Sequence, residues 1–197
     1  MHFSRTILFI SLVCLSLSCT VITPFEYSTS KIEGIAKPLS SDSAFRLKVV
    51  DGRSFVAYIG QVYSSNGLSS NKVVPQYADI TPTLHGSFKK ILRNQGLRFD
   101  SLPGHSAYTL TISLEELLGQ VGSYNSLGDA LLKAEISSDK TGKMVYSAFH
   151  KGKSDGGVNW LGHGKRLAFG YAYLAIDDAM KKLLTDPAFA KAVSGKE

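Results

Sequence analysis

The chain has 197 residues, of which 22 are Lys or Arg and 16 are Asp or Glu, so its formal net charge is +6. This length predicts one domain of ordinary size that can bury a core without disulfides. The basic residues are scattered and do not alternate with aromatic residues, which argues against a nucleic-acid-binding protein. A modest positive charge is compatible with anionic lipid head groups or peptidoglycan.

Residues 1–19 predict export from the cytoplasm. His2 and Arg5 form a short basic start, and residues 6–18 form an apolar run without charge. The run has the length of a signal-peptide core and is shorter than the ~20 apolar residues that span a bilayer as a helix. We therefore expect residues 1–18 to be a cleaved signal peptide, with an uncleaved N-terminal anchor as the alternative.

The signal ends at Cys19, which we interpret as the site of lipid attachment. The segment LSLSC (15–19) resembles a bacterial lipobox, in which the cysteine is acylated, for example with palmitate, and becomes the mature N-terminus. Ser16 and Leu17 depart from the usual lipobox, where leucine precedes a small residue. Ser16 and Ser18 also fit cleavage by ordinary signal peptidase before Cys19. Cleavage would leave Cys19 as the only cysteine, so we expect no internal disulfide.

Residues 19–43 are rich in Ser, Thr and Pro. We interpret them as the lipidated N-terminus and a flexible tether, whose reach is at most ~80 Å at ~3.3 Å per residue. The alternative is that the segment from Phe25 to Tyr27 docks on the domain as an edge strand. Residues 44–197 are then expected to form a single periplasmic domain.

The first half of this domain predicts short strands and one helix. Alternating apolar and polar residues at 45–49 indicate a half-buried strand. Residues 54–63 are a second strand candidate, and residues 73–74 could pair briefly. An apolar stripe at helical spacing predicts a helix that begins at Thr81 and ends at Gly96.

The second half predicts further strands, followed by two helices. The clearest strand runs from Tyr108 to Glu115, because its apolar and polar residues alternate without a break. The remaining predicted elements are a short strand at 97–102, a loop at 119–128, a hairpin of 131–137 with 143–151, a helix at 167–184 and a helix at 188–193.

The order of these elements predicts the α+β class, as a two-layer sandwich with two main helices on one face of a mostly antiparallel, four- to five-stranded sheet. Each helix has a single apolar stripe, which one sheet face can bury. The other face is predicted to be polar, and either solvated or used for binding. Its predicted members are Thr109, Thr111, Ser113, Glu115, Lys133 and Glu135.

Four segments, together with the leader ending in Cys19, resemble the YajG-type family of bacterial outer-membrane lipoproteins. They are FRLKVVDGRS (45–54), LHGSFKKILRNQGLRF (84–99), AYTLTISLEEL (107–117) and AIDDAMKKLLTDPAF (175–189). The resemblance implies an α/β periplasmic domain that a lipid holds to the outer membrane, and it implies no particular activity. The residue after the cysteine is Thr20 and not Asp, and in this the chain is similar to lipoproteins that are sorted outward and not retained at the inner membrane.

Motifs for catalysis and metal binding are missing from the sequence. Gly164-Lys165-Arg166 fails the phosphate-loop pattern, which needs Ser or Thr after the lysine. The histidines are not spaced as metal ligands, and no G-x-S-x-G nucleophile elbow occurs. We therefore expect no enzyme activity, cofactor or metal. The alternative is an envelope hydrolase whose catalytic residues gather from distant positions.

A glycine-rich stretch from Gly152 to Gly164 contains Val158, Trp160 and Leu161, and Trp160 is the only tryptophan. Trp160 either packs this loop onto the sheet or forms an exposed contact for a partner. The sequence thus predicts a non-catalytic, lipid-anchored outer-membrane protein that faces the periplasm and binds an envelope protein or peptidoglycan. A self-associating structural component is a further alternative, since the sequence leaves the oligomeric state open.

Overall fold

The computed structural model describes residues 20–27, 32, 39, 43–54, 58–63, 70–75, 79–100, 106–122, 125–156 and 164–195. These residues form eight strands of one sheet and three helices. The strands are β1 (Thr20–Thr23), β2 (Ala44–Asp51), β3 (Gly60–Tyr63), β4 (Ser70–Pro75), β5 (Arg98–Phe99), β6 (Tyr108–Val121), β7 (Ser126–Ser138) and β8 (Met144–Gly156). The helices are α1 (Thr81–Asn94), α2 (Gly164–Thr185) and α3 (Pro187–Ser194).

The central strand of the sheet is β6. β7 pairs antiparallel with it along its whole length, and β8 continues the sheet antiparallel to β7. On its other side β6 pairs in parallel first with β2 and then with β3. β5 extends the β2 branch, whereas β4 and β1 extend the β3 branch.

The observed sheet differs from the predicted one, which had four to five mostly antiparallel strands. It has eight strands, mixes parallel and antiparallel pairs, and curls toward a half-barrel. The prediction paired strands that follow one another in the chain, whereas β2 and β3 reach β6 through crossover connections. α1 lies within these crossovers and packs on β2 and β5.

A β-bulge in β6 marks the point where the two parallel branches separate. The register of β6 against β7 shifts between Leu114 and Glu116. β2 ends opposite Leu114, where the Gly52 N–H donates to the Leu114 carbonyl (2.9 Å), and β3 begins opposite Gly119. A bulge bends and twists a strand locally, so β6 can serve two separate neighbours on one side.

α1 forms where the sequence predicts it. Pro82 lies in the first turn, where a missing amide hydrogen costs nothing, and the Asp79 carboxylate accepts from the Thr81 N–H (2.9 Å). Its apolar stripe is buried, and comprises Leu84, Phe88, Ile91 and Leu92. The chain leaves the helix at Gly96, whose φ of +96° favours glycine.

α2 lies directly on a row of glycines in the sheet. Gly60, Gly119 and Gly128 stand side by side on β3, β6 and β7. A Cβ on Gly119 would overlap the Ala168 carbonyl oxygen, and a Cβ on Gly128 would overlap a carbonyl oxygen of the same helix. The helix meets the sheet with small, buried residues, which are Ala168, Ala172, Ala175 and Ala179.

The glycine row corrects two loop predictions. Residues 119–128 were predicted as a loop, but β6 continues to Val121 and β7 begins at Ser126. Gly152 and Gly156, predicted within a glycine-rich loop, belong to β8. Glycine is a poor strand former, and its place in a strand often marks the close approach of another backbone.

The N-terminal segment Thr20–Tyr27, here called the strap, is part of the fold. β1 pairs in parallel with β4, from Thr20↔Lys72 to Thr23↔Pro75. Phe25 and Tyr27 are buried in the core. The predicted tether is therefore wrong over these residues, and the docking alternative is nearer to the structure. The Ser- and Pro-rich composition hid two aromatic residues that gain more by burial than by solvation.

Tyr27 joins the two main helices through its ring and its polar atoms. Its ring packs edge-on against Phe88 of α1 and tilted against Tyr173 of α2. Its hydroxyl donates to Asp177 Oδ1 (2.6 Å), and the Ser87 hydroxyl donates to its carbonyl (2.9 Å). Burial, together with the neighbouring Asp177 carboxylate, raises the pKa of Tyr27, so the phenol stays a donor.

We expect Gly119→Ala to lower the free energy of unfolding by roughly 1–3 kcal/mol or more, because the new methyl forces α2 away from the sheet. Gly170→Ala is the control, since this glycine lies on α2 with no atom within 4 Å of its Cβ position. Alanine there should stabilise the helix by about 0.5–1 kcal/mol. Urea unfolding measures both, and changes of the same sign would contradict the close helix–sheet contact.

We expect Tyr27→Phe to cost about 1–3 kcal/mol of unfolding free energy, because the buried Asp177 carboxylate loses a hydrogen-bond donor. Tyr63→Phe is the matched control. The Tyr63 hydroxyl donates to Gln61 at an exposed site (3.1 Å), so its loss should change stability by less than about 0.5 kcal/mol. Equal effects in thermal or urea unfolding would show that the strap does not stabilise the domain.

Candidate functional site

The sheet face that points away from α2, here called the outer face, gathers the predicted polar residues. β6 and β7 hold them in register, so the sequence prediction of a polar face is confirmed. The opposed pairs are Thr109↔Ser137, Thr111↔Glu135 and Ser113↔Lys133. Glu115 lies at the bulge, where the regular register is interrupted.

An exposed aromatic ring lies among these polar groups. Phe149 of β8 is opposite Lys133, and its side chain is 61% exposed. The Lys133 ammonium lies 5.8 Å from the centre of this ring and 2.7 Å from Glu135 Oε1. The Ser147 hydroxyl donates to the same carboxylate oxygen (3.3 Å). The outer face therefore combines an ion pair with an apolar side chain that is exposed to solvent.

β8 is an edge strand, and side chains of α2 close the second half of its edge. Within the described residues β8 pairs only with β7. The Lys153 N–H donates to Asp178 Oδ2 (3.0 Å), and the Lys182 ammonium donates to the Lys151 carbonyl (2.7 Å). Asp178 and Lys182 also form an ion pair at 2.8 Å, as the sequence spacing predicts. Two charged side chains thus take the place of a neighbouring strand.

The same pair explains the acidity of Asp178. Partial burial raises the pKa of this carboxyl, but the hydrogen bonds from Lys182 and from the Lys153 N–H outweigh burial and lower it. Asp178 therefore stays ionised and can keep the edge closed at neutral pH.

A groove opens between the start of β8 and α3, here called the β8–α3 groove. Its volume is about 620 Å³, within the range of ligand-binding clefts. Its described lining residues are Tyr108, Lys143, Met144, Val145, Tyr146, Ala188, Lys191, Ala192 and Gly195. These described lining residues include two lysines and no carboxylate, so their side chains contribute positive charge to the groove.

A buried polar cluster lies beside this groove. The Tyr146 hydroxyl donates to Asp186 Oδ2 (2.6 Å) and lies 2.8 Å from His150 Nε2. Because the single hydroxyl proton goes to Asp186, His150 Nε2 must carry a hydrogen and donate to the Tyr146 oxygen. The other oxygen of Asp186 accepts from the Ala188 N–H (2.8 Å), which caps α3.

Burial controls the protonation of this cluster. It lowers the pKa of His150 although the Asp186 carboxylate opposes this shift, so the imidazole is neutral at pH 7. Burial also raises the pKa of Tyr146, and the hydrogen bond to Asp186 adds to this. For Asp186 burial raises the pKa, but the hydrogen bonds from Tyr146 and Ala188 outweigh it and lower the value.

A second, smaller cavity of about 200 Å³ lies beside the bulge of β6. Arg53 lines it and pairs with Asp51 through two hydrogen bonds of 2.7 Å. Nη1 of this buried guanidinium has no hydrogen-bond partner among the described residues. Glu115 and Glu116 line the same cavity. The cavity therefore mixes both signs of charge and defines no single ligand chemistry.

The predicted site residues Cys19, Val158, Trp160 and Leu161 lie outside the described residues. Sequence reasoning missed Phe149, the Tyr146–His150–Asp186 cluster and the closed edge. Tyr146 and His150 could have been grouped, because residues four apart in a strand share a face. Asp186 was recognised only as the start of the last helix.

No group of three or more His, Cys, Asp or Glu side chains in the described part of the chain could hold a metal ion. No helix in that part of the chain is both long and apolar enough to cross a membrane.

No family model and no curated protein matches the chain. Among solved structures, the Xanthomonas campestris protein XCC0632, of the family DUF330, has a TM-score of 0.53 at 12% identity, with 90% of this chain and 96% of that chain covered. A candidate homologue of the neuraminyllactose-binding hemagglutinin from Helicobacter pylori has a TM-score of 0.46 at 12% identity, over 86% and 96%. A candidate lipoprotein from Caulobacter crescentus has a TM-score of 0.37 at 17% identity, over 48% and 72%. The first similarity shows a shared fold, and none of the three assigns an activity.

We expect the free energy of unfolding to fall as the pH is lowered from about 7 to about 5. The folded protein resists protonation of His150, whereas the unfolded chain binds this proton near the ordinary histidine pKa of 6.5, so stability is lost as the pH falls through that value. Asp186 titrates below this window because its pKa is lowered.

Urea unfolding of the wild type and of His150→Gln at several pH values measures this effect. The variant should lose a large part of the wild type's pH dependence across the window. Parallel curves for the two proteins would contradict the buried, neutral state of His150.

Proposed function

We propose that this chain is a lipid-anchored protein of the bacterial outer membrane, facing the periplasm, and that its domain binds an envelope partner without catalysing a reaction. The observation that carries the proposal is the position of Cys19. An uncharged apolar run ends at this residue, and the next residue, Thr20, begins the edge strand β1. A lipid on Cys19 would therefore hold the domain directly by one edge of its sheet.

The surface next to Cys19 suits this arrangement. Ile22 of β1 is 68% exposed, and Lys72 is the exposed strand partner of Thr20. The Lys72 ammonium lies 5.2 Å from the centre of the Tyr58 ring. An apolar side chain, a cation and an aromatic ring are the groups that interact with the head-group region of a bilayer. The YajG-type resemblance supports placement at the outer membrane.

The outer face and the β8–α3 groove support a binding role. Exposed aromatic residues such as Phe149 often anchor interfaces when a polar rim surrounds them. The partner is an envelope protein, with peptidoglycan as the alternative. Trp160, with Val158 and Leu161, remains a second predicted contact.

The hydrolase alternative has one arrangement of suitable residue types within the described part of the chain, the Tyr146–His150–Asp186 cluster. Its groups are committed to the fold, since Asp186 caps α3 and accepts the proton of Tyr146. These observations favour the binding proposal over an acid–base role for the cluster. Self-association of the domain is a separate alternative, which sedimentation at several concentrations would test.

We expect Cys19→Ser to move the protein from the membrane fraction to the soluble periplasmic fraction, because the acyl acceptor is lost. Radiolabelled palmitate should mark the wild type and not this variant. Cys14→Ser is the matched control, since this cysteine lies within the predicted signal peptide and should leave both results unchanged. Membrane association that persists in Cys19→Ser contradicts the lipid anchor.

A further inference from the structure

We propose that the open half of the β8 edge, together with the β8–α3 groove, binds an extended acidic segment of a partner protein by strand addition. This inference rests on the proposed binding function and names its site and the chemistry of its partner. The juxtaposition that carries it is an uncapped strand edge beside a groove lined by lysines.

The backbone of β8 keeps one orientation from Tyr146 to Gly156, because its register against β7 has no shift over these residues. The polar backbone groups of Lys151 and Lys153 point to the free edge, since α2 side chains bond them. In an antiparallel strand this orientation alternates from residue to residue. The N–H and C=O groups of Ser147 and Phe149 therefore also point to the free edge.

The edge is treated differently in its two halves. In the second half Asp178 already accepts from the Lys153 N–H and Lys182 already donates to the Lys151 carbonyl, so an added strand would have to displace both side chains. Over Ser147 and Phe149 no corresponding side chain of the described residues bonds the edge. An uncapped edge offers a row of backbone donors and acceptors to an extended peptide.

The open half also concentrates exposed apolar side chains. Met144 is 48% exposed, Val145 is 42% exposed and Phe149 is 61% exposed, and all three belong to β8. An added strand would place alternate side chains on the outer face beside Phe149 and in the groove beside Tyr146 and α3. The small residues Ala188 and Ala192 leave space on the helical side of the groove.

The charge of the groove selects the partner. Lys143 and Lys191 line it without a described carboxylate, so acidic side chains on the added segment would strengthen binding and basic ones would weaken it. A second copy of this chain fits less well. Antiparallel pairing of two β8 edges about Ser147 would bring Lys151 of one copy to the start of the other copy's β8, near its Lys143, and like charges at close range are destabilising.

The test uses the full processed protein in detergent and a phage-displayed library of random decapeptides as the probe. We expect peptides rich in Asp and Glu to be enriched, and fluorescein-labelled copies to bind more weakly as NaCl rises from about 50 to about 500 mM. The double variant Lys143→Glu with Lys191→Glu should weaken binding by about tenfold or more. Lys48→Glu with Lys90→Glu makes the same change in net charge outside the groove and should leave binding within about twofold.

Hydrogen exchange tests strand addition directly. On peptide binding the amides of Ser147 and Phe149 should become protected, whereas that of Lys153 should change little, because it already donates to the Asp178 carboxylate. A peptide with N-methyl groups on alternate amides should bind at least about tenfold more weakly. The groove variants are checked for folding by circular dichroism and thermal unfolding.

Three results would overturn the proposal. If no peptide is enriched on the wild type relative to the Lys143→Glu, Lys191→Glu variant, the groove is not the binding site. Peptide binding without protection of Ser147 and Phe149 would place the contact elsewhere. Protection of both amides without peptide, in a protein that sediments as a dimer, would make a second copy the occupant. Membrane fractionation of Cys19→Ser is independent of these measurements, so failure of the groove and failure of the anchor can be told apart.

Discussion

The sheet and its covering helix depend on contact between two backbones. α2 can approach β6 and β7 only because Gly119 and Gly128 have no side chains. This closeness fixes the helix in position along the sheet, and neighbouring residues of the fixed helix then serve different elements. Asp177 bonds Tyr27 of the strap, and Asp178 bonds the edge of β8. The close contact between α2 and the sheet thus positions the residues that hold the strap at one edge of the sheet and those that bond β8 at the other edge.

Features with a regular sequence period could be predicted from the sequence, whereas features that depend on tertiary contacts could not. The stripe of α1, the polar set on β6 and β7, and the Asp178–Lys182 pair follow from spacings along one or two elements. The parallel pairing of β2 and β3 with β6 depends on crossovers, which leave no local signal. The glycines of β6, β7 and β8 indicate loops until a helix is known to lie above them. Polar groups of distant origin, such as Tyr146 and Asp186, meet only in the folded chain.

The two halves of the β8 edge differ in how far side chains block pairing with another strand. Exposed strand edges invite unwanted pairing, and proteins block them with charged side chains. Here Asp178 and Lys182 bond the edge itself, and Lys151 and Lys153 add charge along the same strand. The first half of β8 lacks this protection among the described residues although it carries more exposed apolar surface. This difference between the two halves is the observation on which we propose the open half as a binding surface.

The strap determines where a lipid at Cys19, as proposed, would be attached to the domain. Thr20 is level with Gln120 through the pairs Thr20↔Lys72, Gln61↔Lys72 and Gln61↔Gln120, whereas the groove lies beside Tyr108 at the other end of β6. The residues between them span about 40 Å at ~3.3 Å each. A lipid attached at Cys19 would join the domain at the end of the sheet opposite the groove, next to a residue that β4 already holds in place. A partner that binds the proposed groove would then have to extend a segment to the end of the domain that lies farther from the lipid.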